Sequence, residues 1–275
     1  MAGFFGLFDY SKPGKGVDKG APEKKRFFVF FDIFLRKFWK LIQANLLFLL
    51  FSIPLVTSGL ANGGLTIITR NYVREDHAFL WGDFIDGIKK NWKQLLVSSI
   101  ANTLITVVLL FNIWTSYISS GNGIIWYVFL ALNTSMFIIF SFMKYYIPHM
   151  IVTFKFTLKQ IYKNAAIFAF ANLLNNVLLS VILILFWAAL AVVFLTFNPI
   201  AIIVVTFAVI FIAFAFTNFL TNFIIYPKIK KLIIDPYYET HPDEEKPFHL
   251  TVHDEPEYED ELVFEDKGRN EDFDN

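Results

Sequence analysis

Apolar residues fall in long unbroken blocks along this chain. Four of them, at 95–117, 124–145, 165–197 and 200–226, hold few polar side chains and, apart from Lys144, no charge. About 20 residues at 1.5 Å each cover the ~30 Å hydrocarbon core of a bilayer, so each block predicts a transmembrane helix. The run Ser119-Ser120-Gly121-Asn122-Gly123 separates the first two, and Asn198-Pro199 the last two. Both connections are uncharged.

A fifth block, 41–69, is interrupted by Pro54, Ser58-Gly59 and Asn62-Gly63-Gly64. Proline and glycine favour a break inside such a run. Charge decides how to read it. Residues 1–40 carry nine Lys/Arg, 70–93 five, 144–163 four and 228–275 six. Cationic residues beside membrane helices concentrate on the cytoplasmic face. A single crossing would set the first nine apart from the rest. A hairpin bending at Pro54, Gly59, Gly63 and Gly64 puts all 24 on one face. The hairpin is the preferred reading; a single crossing, for five in all, and a re-entrant first pair stay open. The expected fold is all-α: a polytopic membrane helical bundle, three helical hairpins with both termini cytoplasmic.

Shorter segments are amphipathic. In 27–43, Asp32, Arg36, Lys40 and Gln43 recur at helical spacing among phenylalanines. In 81–93, Trp81, Phe84, Ile85, Ile88 and Trp92 oppose Asp83, Asp86, Lys89, Lys90 and Lys93. In 151–163, Lys155, Lys159 and Lys163 share one face. These read as interfacial helices, with lysines against headgroups or a cytoplasmic partner. A weak echo pairs 88–114 with 161–187. It matches Ile88, Lys90, Asn91, Asn102 and Trp114 to Ile161, Lys163, Asn164, Asn175 and Trp187.

Composition agrees. Of 275 residues 56% are apolar, 34 are Phe, and 17% are charged, more apolar surface than a soluble domain hides. With no Cys there is no disulfide, thiolate metal site or Cys nucleophile. No Asp or Glu occurs from Gly87 to Ile234, whereas 16 follow from Asp235 onward. That acidic end reads as disordered and water-exposed. The expected domains are a flexible cytoplasmic N-terminus (1–26), a membrane domain (27–231) and an acidic tail (232–275).

The stretch Asn45-Leu46-Leu47-Phe48-Leu49-Leu50-Phe51-Ser52-Ile53-Pro54-Leu55-Val56-Thr57-Ser58-Gly59, followed by Arg70, Arg74-Glu75, Phe84 and Lys90-Asn91-Trp92-Lys93-Gln94, resembles the YesL-like family, a domain of unknown function (DUF624). The resemblance covers roughly residues 3–230. It implies a bacterial multi-pass protein of the cytoplasmic (inner) membrane. Members are often encoded beside sugar-uptake genes, which implies an accessory role in carbohydrate uptake or signalling, with a sugar ABC transporter or a sensor protein as partner. The family brings no activity and no catalytic residue.

Candidate chemistry is sparse. Among the asparagines inside the helices, Asn102, Asn172, Asn175, Asn176, Asn218 and Asn222 stand out. They either bond helix to helix or line a path for an uncharged solute, the second functional reading. Proton- and ion-coupled transporters place carboxylates in the membrane, and this chain has none there. There is no Walker A loop, nucleophile elbow or zinc-protease motif. The expectation is therefore no enzyme, no catalytic residue, no cofactor and no metal. The lipid bilayer is the expected environment, and nothing points to nucleic acid.

Overall fold

The computed structural model describes residues 25–241. The expected flexible N-terminus up to residue 24 and the acidic tail from residue 242 lie outside the described residues. The described chain is an all-α bundle. Its helices are α1 (Arg26–Ser52), α2 (Ser58–Val73), α3 (Leu80–Ile118), α4 (Ile124–Thr153), α5 (Leu158–Ala171), α6 (Leu173–Phe194), α7 (Pro199–Ala208), α8 (Phe214–Ile229) and α9 (Asp235–Thr240). π turns at Val209–Ala213 and Lys230–Ile234 join α7 to α8 and α8 to α9. The last helix thus runs to Thr240, past the boundary at residue 231 expected for the membrane domain.

Local chemistry sets the ends. Thr157 and Gln160 form a reciprocal capping box at the start of α5. Asn198 accepts from the amides of Ile200 and Ala201, with Pro199 in the first turn of α7. Gly123, at φ 136°, turns the chain into α4. The amphipathic segments expected at 27–43 and 81–93 are not separate helices. They are the leading parts of α1 and α3, because nothing in either sequence stops the helix. Of the third such segment, residues up to Thr153 belong to α4, and the rest is split by a break before α5.

Four stretches are long and apolar enough to cross a membrane: Leu80–Asn122, Ile124–Thr153, Leu173–Phe194 and Pro199–Thr240. Their outward side chains, among them Leu110, Leu132, Ile184, Leu185 and Ile203, are exposed. Such a continuous apolar belt belongs in lipid. The protein is a helical membrane protein.

Contacts between helix ends fix the relative directions. Arg26 reaches Phe223, Arg70 reaches Val152, Asn71 reaches Asp83, and Gln94 reaches Phe156. The starts of α1 and α3 therefore lie with the ends of α2, α4 and α8. The turns at 119–123 and 195–198 lie at the far end.

The first hairpin forms, but its bend does not reach that far end. Asn62 of α2 and Lys144 of α4 wall the same cavity. From Asn62 back to Ser58, the start of α2, is about 6 Å of helix, whereas from Lys144 back to Ile124 is about 30 Å. The tip at 53–57 thus stops roughly 20 Å short of the α3–α4 turn, near the middle of the bundle. The first pair is therefore a short hairpin whose tip lies at mid-bundle, and neither of its helices is among the four described stretches long and apolar enough to cross a membrane. The bend is also narrower than expected. Pro54 sits in it, while Gly59, Gly63 and Gly64 belong to α2 and face α3.

Helix α2 is the centre of the bundle. Ala61, Leu65, Ile68 and Tyr72 are fully or almost fully buried, and α1, α3, α4 and α8 all pack on it. It faces protein on every side, so it needs small and polar residues more than hydrophobicity.

Candidate functional site

Three polar assemblies hold the bundle together, and a polar cleft lies among them. The first is one side chain. Asn45 of α1 donates to the carbonyls of Val209 and Ile210, at 3.0 and 2.7 Å, and accepts from the Ala215 amide at 2.8 Å. A π turn leaves backbone groups without their usual partners, and one buried amide supplies both donor and acceptor there.

The second joins α2, α4 and α8. Asn218 Nδ2 donates to Asn62 Oδ1 at 3.0 Å and to Thr66 Oγ1 at 3.2 Å. Asn218 Oδ1 accepts from Thr69 at 2.6 Å and from Asn222 Nδ2 at 2.9 Å. Asn222 Oδ1 in turn lies 2.6 Å from His149 Nδ1. Because Asn222 Nδ2 is committed to Thr69 and Asn218, its oxygen must accept, so His149 carries its proton on Nδ1.

The third is a knot around Tyr146. Asn172 Nδ2 donates to the Tyr146 hydroxyl at 3.0 Å, and that hydroxyl donates to Asn176 Oδ1 at 2.6 Å. Asn176 Nδ2 donates to the carbonyls of Phe168 and Ala169, at 3.2 and 3.1 Å. The helix breaks at Asn172, and these bonds satisfy the carbonyls at the end of α5. The apolar run at 165–197 is therefore two helices rather than one.

The cleft consists of two adjoining cavities, of about 320 and 220 Å³. Asn62, Lys144 and Pro148 wall both. Ser99, Asn102 and Thr103 of α3 complete the first, and Thr66, Tyr145 and Asn218 help line the second. Lys144 is the one charged residue lining either cavity. Its ammonium lies 5.9 Å over the Phe140 ring and makes no hydrogen bond or ion pair among the described residues. Pro148 has no N–H, so the Lys144 carbonyl lacks its intrahelical partner.

A separate open groove of about 590 Å³ lies at the end where α1 and α3 start. Lys89, Lys90, Lys93 and Lys155 line it with Trp92 and Phe156. Nearby, Arg70 donates to the Val152 carbonyl and to Thr153 Oγ1, both at 3.1 Å, and so caps the end of α4. Burial, and then neighbouring Arg74, lower its guanidinium to about 10, which leaves it charged at neutral pH.

The residues singled out in the sequence divide among these places. Asn102 lines the first cavity and accepts from the Tyr162 hydroxyl at 2.7 Å. Asn218 and Asn222 line the second. Asn172 and Asn176 are buried in the Tyr146 knot. Asn175 is exposed and bonds only Asn172, at 2.9 Å. The pair matched by the internal echo, Asn102 and Asn175, does not meet. Gly59 wall-packs against Ser99, Gly63 against Leu95 and Gly64 against Phe84. Lys155, Lys159 and Lys163 are exposed, but Lys155 sits in the break before α5 while the other two ride on α5. Sequence reasoning missed Lys144, Asn62 and Ser99 as members of one site. The signal for Lys144 was present: it is the only charge between Lys93 and Lys155. It reads as the start of a loop only because α4 is taken to end too early.

Residues 41–113 match the model of a family described as a protein of unknown function, DUF624. The match spans roughly a quarter of the chain, from mid-α1 through α2 to most of α3, and includes the Asn45-to-Gly59 stretch that carries the resemblance. It contains Asn62, Ser99 and Asn102 but not Lys144. The chain matches no curated protein and no solved structure.

Proposed function

We propose that this protein is a non-enzymatic component of a bacterial cytoplasmic membrane, accessory to a carbohydrate-uptake or signalling system. It docks a partner through its lysine-rich face. The observation that carries the reading is the basic and aromatic groove of Lys89, Lys90, Lys93, Lys155, Trp92 and Phe156. Aromatic and cationic side chains around one concavity suit an acidic, partly apolar partner segment. The described Lys and Arg other than Lys144 gather towards that end, and the far turns carry none, which supports a cytoplasmic placement. The link to carbohydrate uptake, with a sugar ABC transporter or sensor as partner, rests on the family resemblance. The absence of carboxylates from Gly87 to Ile234 removes the usual acid–base pairs from the membrane interior and supports the non-enzymatic reading.

A photo-crosslinking residue at Trp92 tests this in intact cells. The expected product is a crosslink to a subunit of a sugar-uptake or sensor system, lost when Lys89, Lys90, Lys93 and Lys155 are all changed to Gln. Crosslinks to lipid alone would overturn the docking role.

A second reading, transport of an uncharged solute, is favoured by one observation. The first hairpin carries Asn62 to mid-bundle, where two cavities lined in part by polar side chains meet. Flux of labelled sugars into liposomes separates the two. The accessory reading expects none from the purified chain alone.

A further inference from the structure

We propose that the cleft at Lys144 is a binding site for a phosphate-bearing molecule. The ammonium sits on α4 about 13 Å of helix before Thr153, at the level of the first hairpin's tip. It has no carboxylate partner among the described residues, and no Asp or Glu occurs anywhere from Gly87 to Ile234. A lysine at such depth is costly unless something answers its charge. No carboxylate among the described residues pairs with it, which leaves its charge for a bound anion to answer.

The neighbours select the same kind of ligand. Asn62 Oδ1 is occupied by Asn218 Nδ2, and that orientation is fixed because Asn218 Oδ1 already accepts from Thr69 and Asn222. Asn102 Oδ1 accepts from Tyr162. Each of these oxygens already accepts one bond, whereas neither amide N–H₂ group donates to any described residue, and the Ser99 hydroxyl lines the same wall. Lys144 with this set makes a ring of donors. Such a ring complements an oxyanion with several acceptor oxygens and repels cations. Gly59, at the start of α2, also lines the cavity, so the positive end of the α2 dipole adds to the field.

A cavity of about 320 Å³ holds a phosphate with a short polyol. Two sources carry that chemistry. Thr103 and Val107, both on the cavity wall, are exposed on the lipid-facing side of α3, which opens a lateral route for an anionic lipid headgroup. A soluble phosphate ester reaches the cleft from an aqueous face.

The test uses the full chain in neutral detergent and reads thermal unfolding against added probe. The lipid arm compares phosphatidylglycerol with zwitterionic phosphatidylcholine. The soluble arm compares glycerol 3-phosphate with glycerol. The expected result is saturable stabilisation by at least one anionic probe and none by its neutral counterpart. Apparent affinity should fall about tenfold in Lys144→Gln and stay near wild type in Lys144→Arg. Response in one arm alone assigns the source; response in both assigns the shared phosphate. Thr103→Phe fills the cleft mouth without touching Lys144, and it should abolish the response even where Lys144→Gln folds poorly. No stabilisation by either anionic probe, or an equal response in wild type and Lys144→Gln, overturns the site.

Discussion

The guanidinium of Arg26, in the first turn of α1, donates to the main-chain oxygen of Phe223 at 2.7 Å. That oxygen is free because the residue four further on is Pro227, which has no N–H to give. Arg26 also lies 5.0 Å over the Phe223 ring. One side chain thus satisfies a helix defect 197 residues away and ties the two ends of the described membrane domain to one level. Arg26→Ala should lower unfolding stability by about 1–2 kcal/mol, the usual cost of losing a charge-assisted bond at a part-exposed site. Arg26→Lys should recover only part of it, since it keeps the charge but loses the planar stack. Detergent melts of the three proteins check this.

The same end-to-end ties fix a labelling pattern. The chain has no native Cys, so single cysteines report cleanly. Exposed positions Lys25, His77, Thr157 and His241 should all react from one side of the membrane, and Gly121 and Asn198 from the other. Val56, in the tip of the first hairpin, should resist a membrane-impermeant reagent applied on the Gly121 side. Strong labelling of Val56 there would restore two full crossings to α1 and α2.

The glycines of α2 and α3 have unequal tasks. A Cβ at Gly59 would collide with the Ser99 Cβ and Oγ, atoms tied closely to the α3 backbone. A Cβ at Gly87 would meet Ile67 Cδ1, the far end of a side chain that can rotate. Gly59→Ala should therefore cost about 1–3 kcal/mol through overpacking. Gly87→Ala should be near neutral, because gained helix propensity, about 1 kcal/mol, offsets the adjustment. Adding Ser99→Gly to Gly59→Ala should recover most of the loss. Additive losses in that double mutant would mean the two residues do not share a contact.

How far the sequence could be read depended on what surrounds each segment. Helices α3, α4, α6 and α7 face lipid, and their apolar blocks announced them. Helix α2 faces protein throughout, so Gly59, Gly63 and Gly64 read as a bend when they are contacts. Hydropathy measures the cost of facing lipid, and α2 does not face it. The helix break at Asn172 and the π turn at Val209–Ala213 were illegible for another reason. Each depends on a partner distant in sequence: Tyr146 for the first, Asn45 for the second. Lys144 was visible as a solitary charge, but its polar companions in the cleft come from helices far apart in sequence, α2, α3 and α8 among them.

The Asn172, Asn175 and Asn176 cluster makes that last point testable, since in sequence the three are near equivalents. In the fold they are not. Asn175 is exposed and makes one bond, to Asn172, within its own turn. Asn176 is fully buried and holds the carbonyls of Phe168 and Ala169 as well as the Tyr146 hydroxyl. Asn175→Leu should shift stability by less than about 1 kcal/mol, in the range of a single polar contact between membrane helices. Asn176→Leu removes the side-chain donor from the Ala169 carbonyl, leaves the Phe168 carbonyl only its bond from the Asn172 amide, and takes the acceptor from the buried Tyr146 hydroxyl. Its cost should reach about 3 kcal/mol, with poor insertion yield. Tyr146→Phe should fall between them, because it removes the hydroxyl but leaves Asn176 on the carbonyls. If Asn175→Leu proved the most damaging of the three while the others melted normally, the knot would not be what seats α6 on α5. Asn175 would then have a role outside the described contacts, and the lipid-exposed side of α6 would be the place to look for it.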